Sequence, residues 1–195
     1  MTEHSDLAHG TDGLARCAWV GADPLQMAYH DTEWGRPVHG EAAWFERLSL
    51  EAFQSGLSWA TVLRKRESFR SAFAGFDPDL VAAFTPTDRA RLLADVGIIR
   101  NAAKIDATIR NARAVLALRE VGGLEALVRA HRPPRHTRPA SLAQVPATSP
   151  ESQALAKALK GHGFAFVGPT TMYAAMQACG IVDDHVAGCH RADAG

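Results

Sequence analysis

Apolar residues recur every three or four positions over much of this chain, in stretches separated by short breaks rich in glycine, proline and aspartate. Residues at that spacing share one face of a helix, and an apolar face must be buried against another element. A first stripe spans residues 24–30, with Asp23 placed to cap it and Pro24 at the first helical position. A stronger one covers 41–55, with Trp44, Leu48, Ala52 and Ser55 in line. Residues 59–73 form a third, with Val62, Leu63, Phe69 and Phe73 inward and Arg64, Lys65, Arg66 and Arg70 mostly outward. Asp77-Pro78 opens a short helix to 84, and Thr87-Asp88 opens another through 93. A tight break at Val96-Gly97-Ile98-Ile99-Arg100 precedes a long helix over 101–119. Residues 131–150 mix prolines with basic and small polar residues and read as a long surface loop. Ser149 then caps a helix running to 160, glycines at 161 and 163 end it, and a last helix covers 169–179. Strand signals are nearly absent and no repeat is found. The expected architecture is all-α.

Length and composition add bounds rather than detail. The 195 residues, 47% hydrophobic and 22% charged, suit a single soluble domain, expected over 14–190 between flexible tails at 1–13 and 191–195. Twenty-one basic residues balance 21 acidic ones, so any nucleic-acid binding must come from local basic patches. No apolar run approaches the ~18 residues that span a bilayer, and the N-terminus lacks a signal-peptide pattern. Three cysteines in such a chain fit a reducing cytoplasm better than a disulfide framework. No membrane partner is expected.

Four candidate metal ligands lie far apart in sequence. Cys17 and His30 stand near the start, and His185 and Cys189, four apart, stand near the end. Two thiolates and two imidazoles make a closed tetrahedral zinc site with no position left for water, which would be structural. Packed core residues would show the same spacing. Glu51 follows Trp44 by seven positions and Leu48 by three, so it points along an apolar stripe. It reads either as a carboxylate in a ligand pocket or as a helix-edge glutamate paired with an arginine. Trp19, Tyr29 and Trp59 offer flat faces for stacking a base, whereas Trp34 reads as core. The helix, glycine-centred turn and helix around Gly97 aim backbone N–H groups at one spot, with Arg100 and Lys104 following, which suits a phosphate. A plain helix corner with a solvated basic face gives the same pattern. The segment from Gly161 to Gly168 matches no phosphate loop and reads as a turn packing Phe164, Phe166 and Val167 inward.

Many short runs in fixed order carry a resemblance. They include Arg16-Cys17-Ala18-Trp19, Tyr29-His30-Asp31 with Glu33-Trp34-Gly35, Leu50-Glu51, Gly56-Leu57-Ser58-Trp59, Lys65-Arg66, Phe76-Asp77-Pro78, Gly97-Ile98-Ile99-Arg100, Phe166-Val167-Gly168, Met176-Gln177-Ala178, and Asp184-His185 with Cys189. From Arg16 to Cys189 the chain resembles the bacterial 3-methyladenine DNA glycosylase I family, within the helix-hairpin-helix glycosylase superfamily. The resemblance implies an all-α helix-hairpin-helix fold with a structural zinc on Cys17, His30, His185 and Cys189. It implies Glu51 as the base-recognising carboxylate, Tyr29, Trp19 and Trp59 as pocket aromatics, and the turn at Gly97 and Ile98, with Arg100 and Lys104, against the DNA backbone. The implied reaction is base flipping and hydrolysis of the N-glycosidic bond of 3-methyladenine in double-stranded DNA, by a monomer that leaves an abasic site. Two positions depart from the family pattern. Gln26 stands where a second pocket tyrosine is frequent, and Asp183 stands where asparagine is frequent. A non-catalytic, zinc-stabilised DNA-binding module is the competing reading, and it has no use for a buried carboxylate at Glu51. A zinc hydrolase needs an open coordination position, which a Cys2His2 set does not leave.

Overall fold

Local side chains set where the helices begin. In the computed structural model, which describes residues 6–192, Asp23 accepts from the Leu25 N–H to start α1 (Pro24–Thr32). α2 (Glu41–Gln54) follows Gly40, and Ser58 caps α3 (Trp59–Arg64) by accepting from the Thr61 N–H. After α4 (Arg66–Ala72), Asp77 accepts from two N–H groups to open α5 (Pro78–Ala82). Thr85 and Asp88 form a reciprocal capping box on α6 (Pro86–Ala94), and Asn101 caps α7 (Ala102–Leu118). α8 (Gly123–Arg129) leads into the long loop. A second box of Ser149 and Ser152 then starts α9 (Pro150–Gly161), and α10 (Pro169–Ala178) completes the set.

The helices enclose one main core. α7 packs on α2, α5, α6 and α8, while α10 packs on α9 and α2. Trp44, Phe45, Leu48 and Phe53 of α2 meet Phe69, Phe73 and Phe76, with the last two rings stacked at 5.5 Å. Fully burying side chains of this size stabilises the fold by ~1.5–3 kcal/mol each. A smaller cluster of Cys17, Val186, Cys189 and Ala192, covered by Leu7, Trp19, Trp34 and Leu142, brings the two ends of the chain together.

Several elements depart from the expectations. Leu7–His9, read as tail, form β1, which pairs antiparallel with β2 (Ala15–Cys17), Leu7 opposite Cys17. The apolar Leu7 is drawn onto the small cluster, and Ala192, also read as tail, is buried there. Residues 1–5 and 193–195 of the two expected tails lie outside the described residues. The helix expected over 59–73 is two helices, because Lys65 takes φ −98° and ψ 0°. A one-residue break leaves the inward stripe nearly intact, so the pattern does not reveal it. α6 starts two residues earlier than expected, since Thr85 rather than Thr87 is the cap. Phe166, expected inward, is 39% exposed at φ +56°, while Phe164 and Val167 are buried as expected. Among the described residues no helix is long and apolar enough to cross a membrane.

Candidate active site and adjoining metal-ligand cluster

A cavity of about 690 Å³ opens between α1, α2, α3, α10 and the long loop. α1 supplies Gln26 and Tyr29, three apart and therefore on one face. α2 supplies Glu51 and Gln54, and the turn into α3 supplies Ser58, Trp59 and Ala60. Trp19, Trp34, Ala174, Gln177 and Asp184 complete the wall, together with Leu142 and Val145 from the loop. The sequence-predicted Glu51, Trp19, Tyr29, Trp59 and Gln26 are thus brought into one pocket. The loop read as surface forms part of its wall.

Glu51 is the chemical centre of this pocket. It is 6% exposed, and no donor among the described residues hydrogen-bonds its carboxylate. Burial pushes its carboxyl up to about 8, against the pull of the Arg47 charge one turn earlier. The Tyr29 ring lies 5.0 Å from that of Trp59, and burial followed by the Glu51 charge keeps its phenol protonated. Gln26 donates through Nε2 to Val20 O at 3.2 Å, while its amide oxygen has no partner among the described residues. A ring at position 26 would present a face here instead of an acceptor.

Some pocket residues escaped the sequence reading. Trp34, taken as core, lines the cavity and stacks on His30 with ring centroids 5.9 Å apart. Asp184 Oδ2 accepts from Tyr173 OH at 2.8 Å and Gln177 Nε2 at 2.7 Å, and His136 Nε2 sits 2.9 Å from Oδ1. Glu33, Asp184 and Gln177 all fall within the runs that carried the resemblance, but nothing local marks them as neighbours. Arg66, read as solvated, grips Glu33 through two bonds of 2.7 and 2.9 Å, and Arg47 reaches the same carboxylate at 2.6 Å.

Against the back of the pocket lies the cysteine and histidine cluster. Donor atoms of Cys17, His30 and Cys189, all fully buried, lie within 4.8 Å of one another. Cys189 Sγ is 3.4 Å from His30 Nε2. His185 stands outside that group, its ring centroid 5.1 Å from that of His30, and its Nε2 is buried with no hydrogen-bond partner. The Nδ1 atoms of both imidazoles face carboxylates, His30 at 2.9 Å from Asp31 and His185 at 2.7 Å from Asp183. Asp31 also faces His190 Nε2 at 2.9 Å and accepts from Arg16 Nη2 at 2.6 Å. Burial raises the Asp31 carboxyl, but Arg16 and the two histidines outweigh it and hold the group well below the usual carboxylate range. Asp183, the second departure from the family pattern, pairs its other oxygen with Arg138. Gly35 makes room for His185: a Cβ there would lie 2.7 Å from its Cε1, on a backbone at φ +76°.

The residues expected at a DNA backbone divide. The turn between α6 and α7 carries exposed Arg100 and Val96, whereas Ile98 is buried. Asp95 Oδ1 accepts the Gly97 N–H at 2.7 Å, and Lys65 donates to the carbonyls of Val96 and Gly97 at 3.0 Å each. Lys104 is a correction. It is 7% exposed and its ammonium donates to Phe53 O and Ser55 O, capping the C-terminal end of α2 instead of facing outward.

The comparisons with known proteins agree with this fold. The methyladenine glycosylase family model matches residues 19–192. A DNA-3-methyladenine glycosylase of Escherichia coli is 48% identical over 90% of this chain and 96% of its own length. The Haemophilus influenzae DNA-3-methyladenine glycosylase is 44% identical over 89% and 96%. A crystal structure of a 3-methyladenine DNA glycosylase I superposes with TM-score 0.86 at 50% identity, covering 90% of this chain and 98% of that one. A Staphylococcus aureus structure described as showing the basis of 3-methyladenine recognition superposes with TM-score 0.86 at 31% identity, covering 90% and 95%. Near-complete coverage in both directions, over the same mostly helical fold, places this chain in the methyladenine glycosylase family.

Proposed function

We infer that this protein is a DNA repair glycosylase that removes 3-methyladenine from alkylated DNA. The observation that carries the reading is Glu51, a buried carboxylate without a hydrogen-bond donor, in a cavity walled by Trp19, Tyr29 and Trp59. Glu51 is costly to ionise in this pocket, and a cationic base offsets that cost whereas a neutral one does not. Methylation at N3 gives adenine a positive charge and weakens its bond to the sugar. The flipped base then stacks on the electron-rich faces of the aromatic residues while Glu51 accepts hydrogen bonds from its edge. Adenine itself is neutral and gains less from both contacts. Because the leaving group is already activated, water can complete the displacement at the sugar without a strong base, leaving an abasic site.

Our reading of the substrate is double-stranded DNA, met by a monomer through a helix-hairpin-helix element formed by α6, the turn at Gly97 and α7. Exposed Arg100 supports that placement. We assign the metal cluster to zinc, held by Cys17, His30, His185 and Cys189. The buried, partnerless Nε2 of His185 supports this set, as do the two carboxylates that fix Nδ1 on each imidazole and leave Nε2 as the ligand atom. A zinc closed by two thiolates and two imidazoles contributes structure and no step of the reaction. The three cysteines are free, which suits a reducing cytoplasm. Incubation with methylated DNA tests the function: released 3-methyladenine is expected, and its absence from DNA known to carry the lesion overturns the reading.

A further inference from the structure

Arg47 and Glu51 are one turn apart on α2. Long helical side chains lean toward the N-terminus, which carries the Glu51 carboxylate over the Arg47 position. A guanidinium and a carboxylate so placed, both shielded from water, ordinarily pair. Here they do not. Arg47 Nη2 donates to Glu33 Oε2 at 2.6 Å, its Cζ sits 5.6 Å from the centre of the Tyr29 ring, and its Nη1 is buried without a partner. Glu33 is fixed in turn by Arg66, which donates to both of its oxygens. Two carboxylates therefore compete for one guanidinium, and the one on α1's C-terminal end wins.

We propose that Glu33, anchored by Arg66, holds Arg47 away from Glu51, so that the Glu51 carboxylate stays unpaired for the cationic base. Glu33 and Arg66 are then positioning residues in the recognition of the lesion, although neither lines the cavity. The unmet Nη1 supports the assignment. A buried guanidinium nitrogen without an acceptor costs stability, and such a defect persists where an arrangement serves function rather than folding. Were Arg47 free to turn, a bidentate pair with Glu51 would satisfy both groups. It would also occupy the lone pairs of Glu51 and cancel the charge that Glu51 takes on when a positively charged base enters.

The inference rests on Glu51 as the partner of the base. The test is titration of free 3-methyladenine, at a pH low enough to protonate the free base, followed by tryptophan fluorescence, into the wild type and the variants E33Q, R47M, E33Q/R47M and E51Q. E33Q is expected to raise the Kd about tenfold or more. In the R47M background, where there is no guanidinium to release, adding E33Q should change the Kd by less than about twofold. An equal penalty in both backgrounds, or wild-type affinity for E33Q, overturns the proposal and leaves Glu33 a structural ion-pair partner. Wild-type affinity for E51Q instead overturns the reading beneath it. Should E33Q not fold, Arg66→Gln carries the same comparison, with weaker binding only while Arg47 is present.

Discussion

Glu51 shows what a binding site costs a fold. With burial raising its carboxyl to about 8, the folded protein holds a proton there more tightly than the unfolded chain does. Between the unfolded value of roughly 4.3 and this raised one, stability falls as pH rises, because folding must either keep a proton that the unfolded chain sheds or desolvate a charge that the unfolded chain carries in water. Glu51→Gln removes that penalty, of roughly 2–5 kcal/mol. The variant should melt higher than the wild type at pH 8, the gain should shrink toward pH 5, and excision of 3-methyladenine should be impaired at both. Equal melting at pH 8, or excision at the wild-type rate, would count against Glu51 in this role. Gln26 bears on affinity from the other wall. Its amide oxygen lacks a partner and it offers no ring face, and stacking a base is worth ~1–3 kcal/mol. Gln26→Tyr should bind free 3-methyladenine more tightly by calorimetry, and equal or weaker binding would mean that position 26 does not limit stacking. Both residues were legible in the sequence, since Glu51 lies on the stripe of Trp44 and Leu48 and Gln26 lies three before Tyr29. Their surroundings were not, because Asp184 reaches the cavity wall, and Glu33 and Arg66 reach Arg47, only through folding.

At the scale of elements, caps were the readable signal and tertiary ties were not. Asp23, Asp77 and Ser149 mark helix starts within a few residues, which is why those starts followed from sequence. The carbonyls that Lys65 and Lys104 reach belong to distant segments, which no local pattern announces. Those two lysines do one job: each secures an element end, Lys65 the turn before α7 and Lys104 the end of α2. Replacing Lys104 by Met should therefore lower stability by ~1–3 kcal/mol in chemical denaturation while leaving the salt dependence of DNA binding unaltered. Arg100→Ala should do the reverse, reducing the slope of log K against log salt by about one with little change in stability. A salt slope that moves with Lys104 and not with Arg100 would return Lys104 to the DNA face.

For the whole molecule, the meeting of Cys17 and His30 with Cys189 decides how the ends are held. The mostly helical class was legible from periodicity, but the two-stranded sheet of β1 and β2 and the docking of Ala192 were not, because a single leucine and a single alanine give no pattern. If zinc closes Cys17, His30, His185 and Cys189, binding to the folded state alone stabilises it. Freshly purified protein should then contain one zinc per chain by elemental analysis, and Cys189→Ala should lose the metal and melt lower. Protein that lacks zinc, or a variant that keeps it, removes this assignment.

The same clasp has a consequence for how the enzyme is made. Synthesis delivers Tyr29, Glu51 and Trp59 early, yet α1, which carries Tyr29 and Gln26, is tied through His30 and Asp31 to Cys189 and His190. Before those residues dock, α1 is held by α3 and by the grip of Arg47 and Arg66 on Glu33, but not on its His30 side. The pocket wall that carries Tyr29 and Gln26 therefore gains its last anchor only after residues made 159 positions later have docked on it.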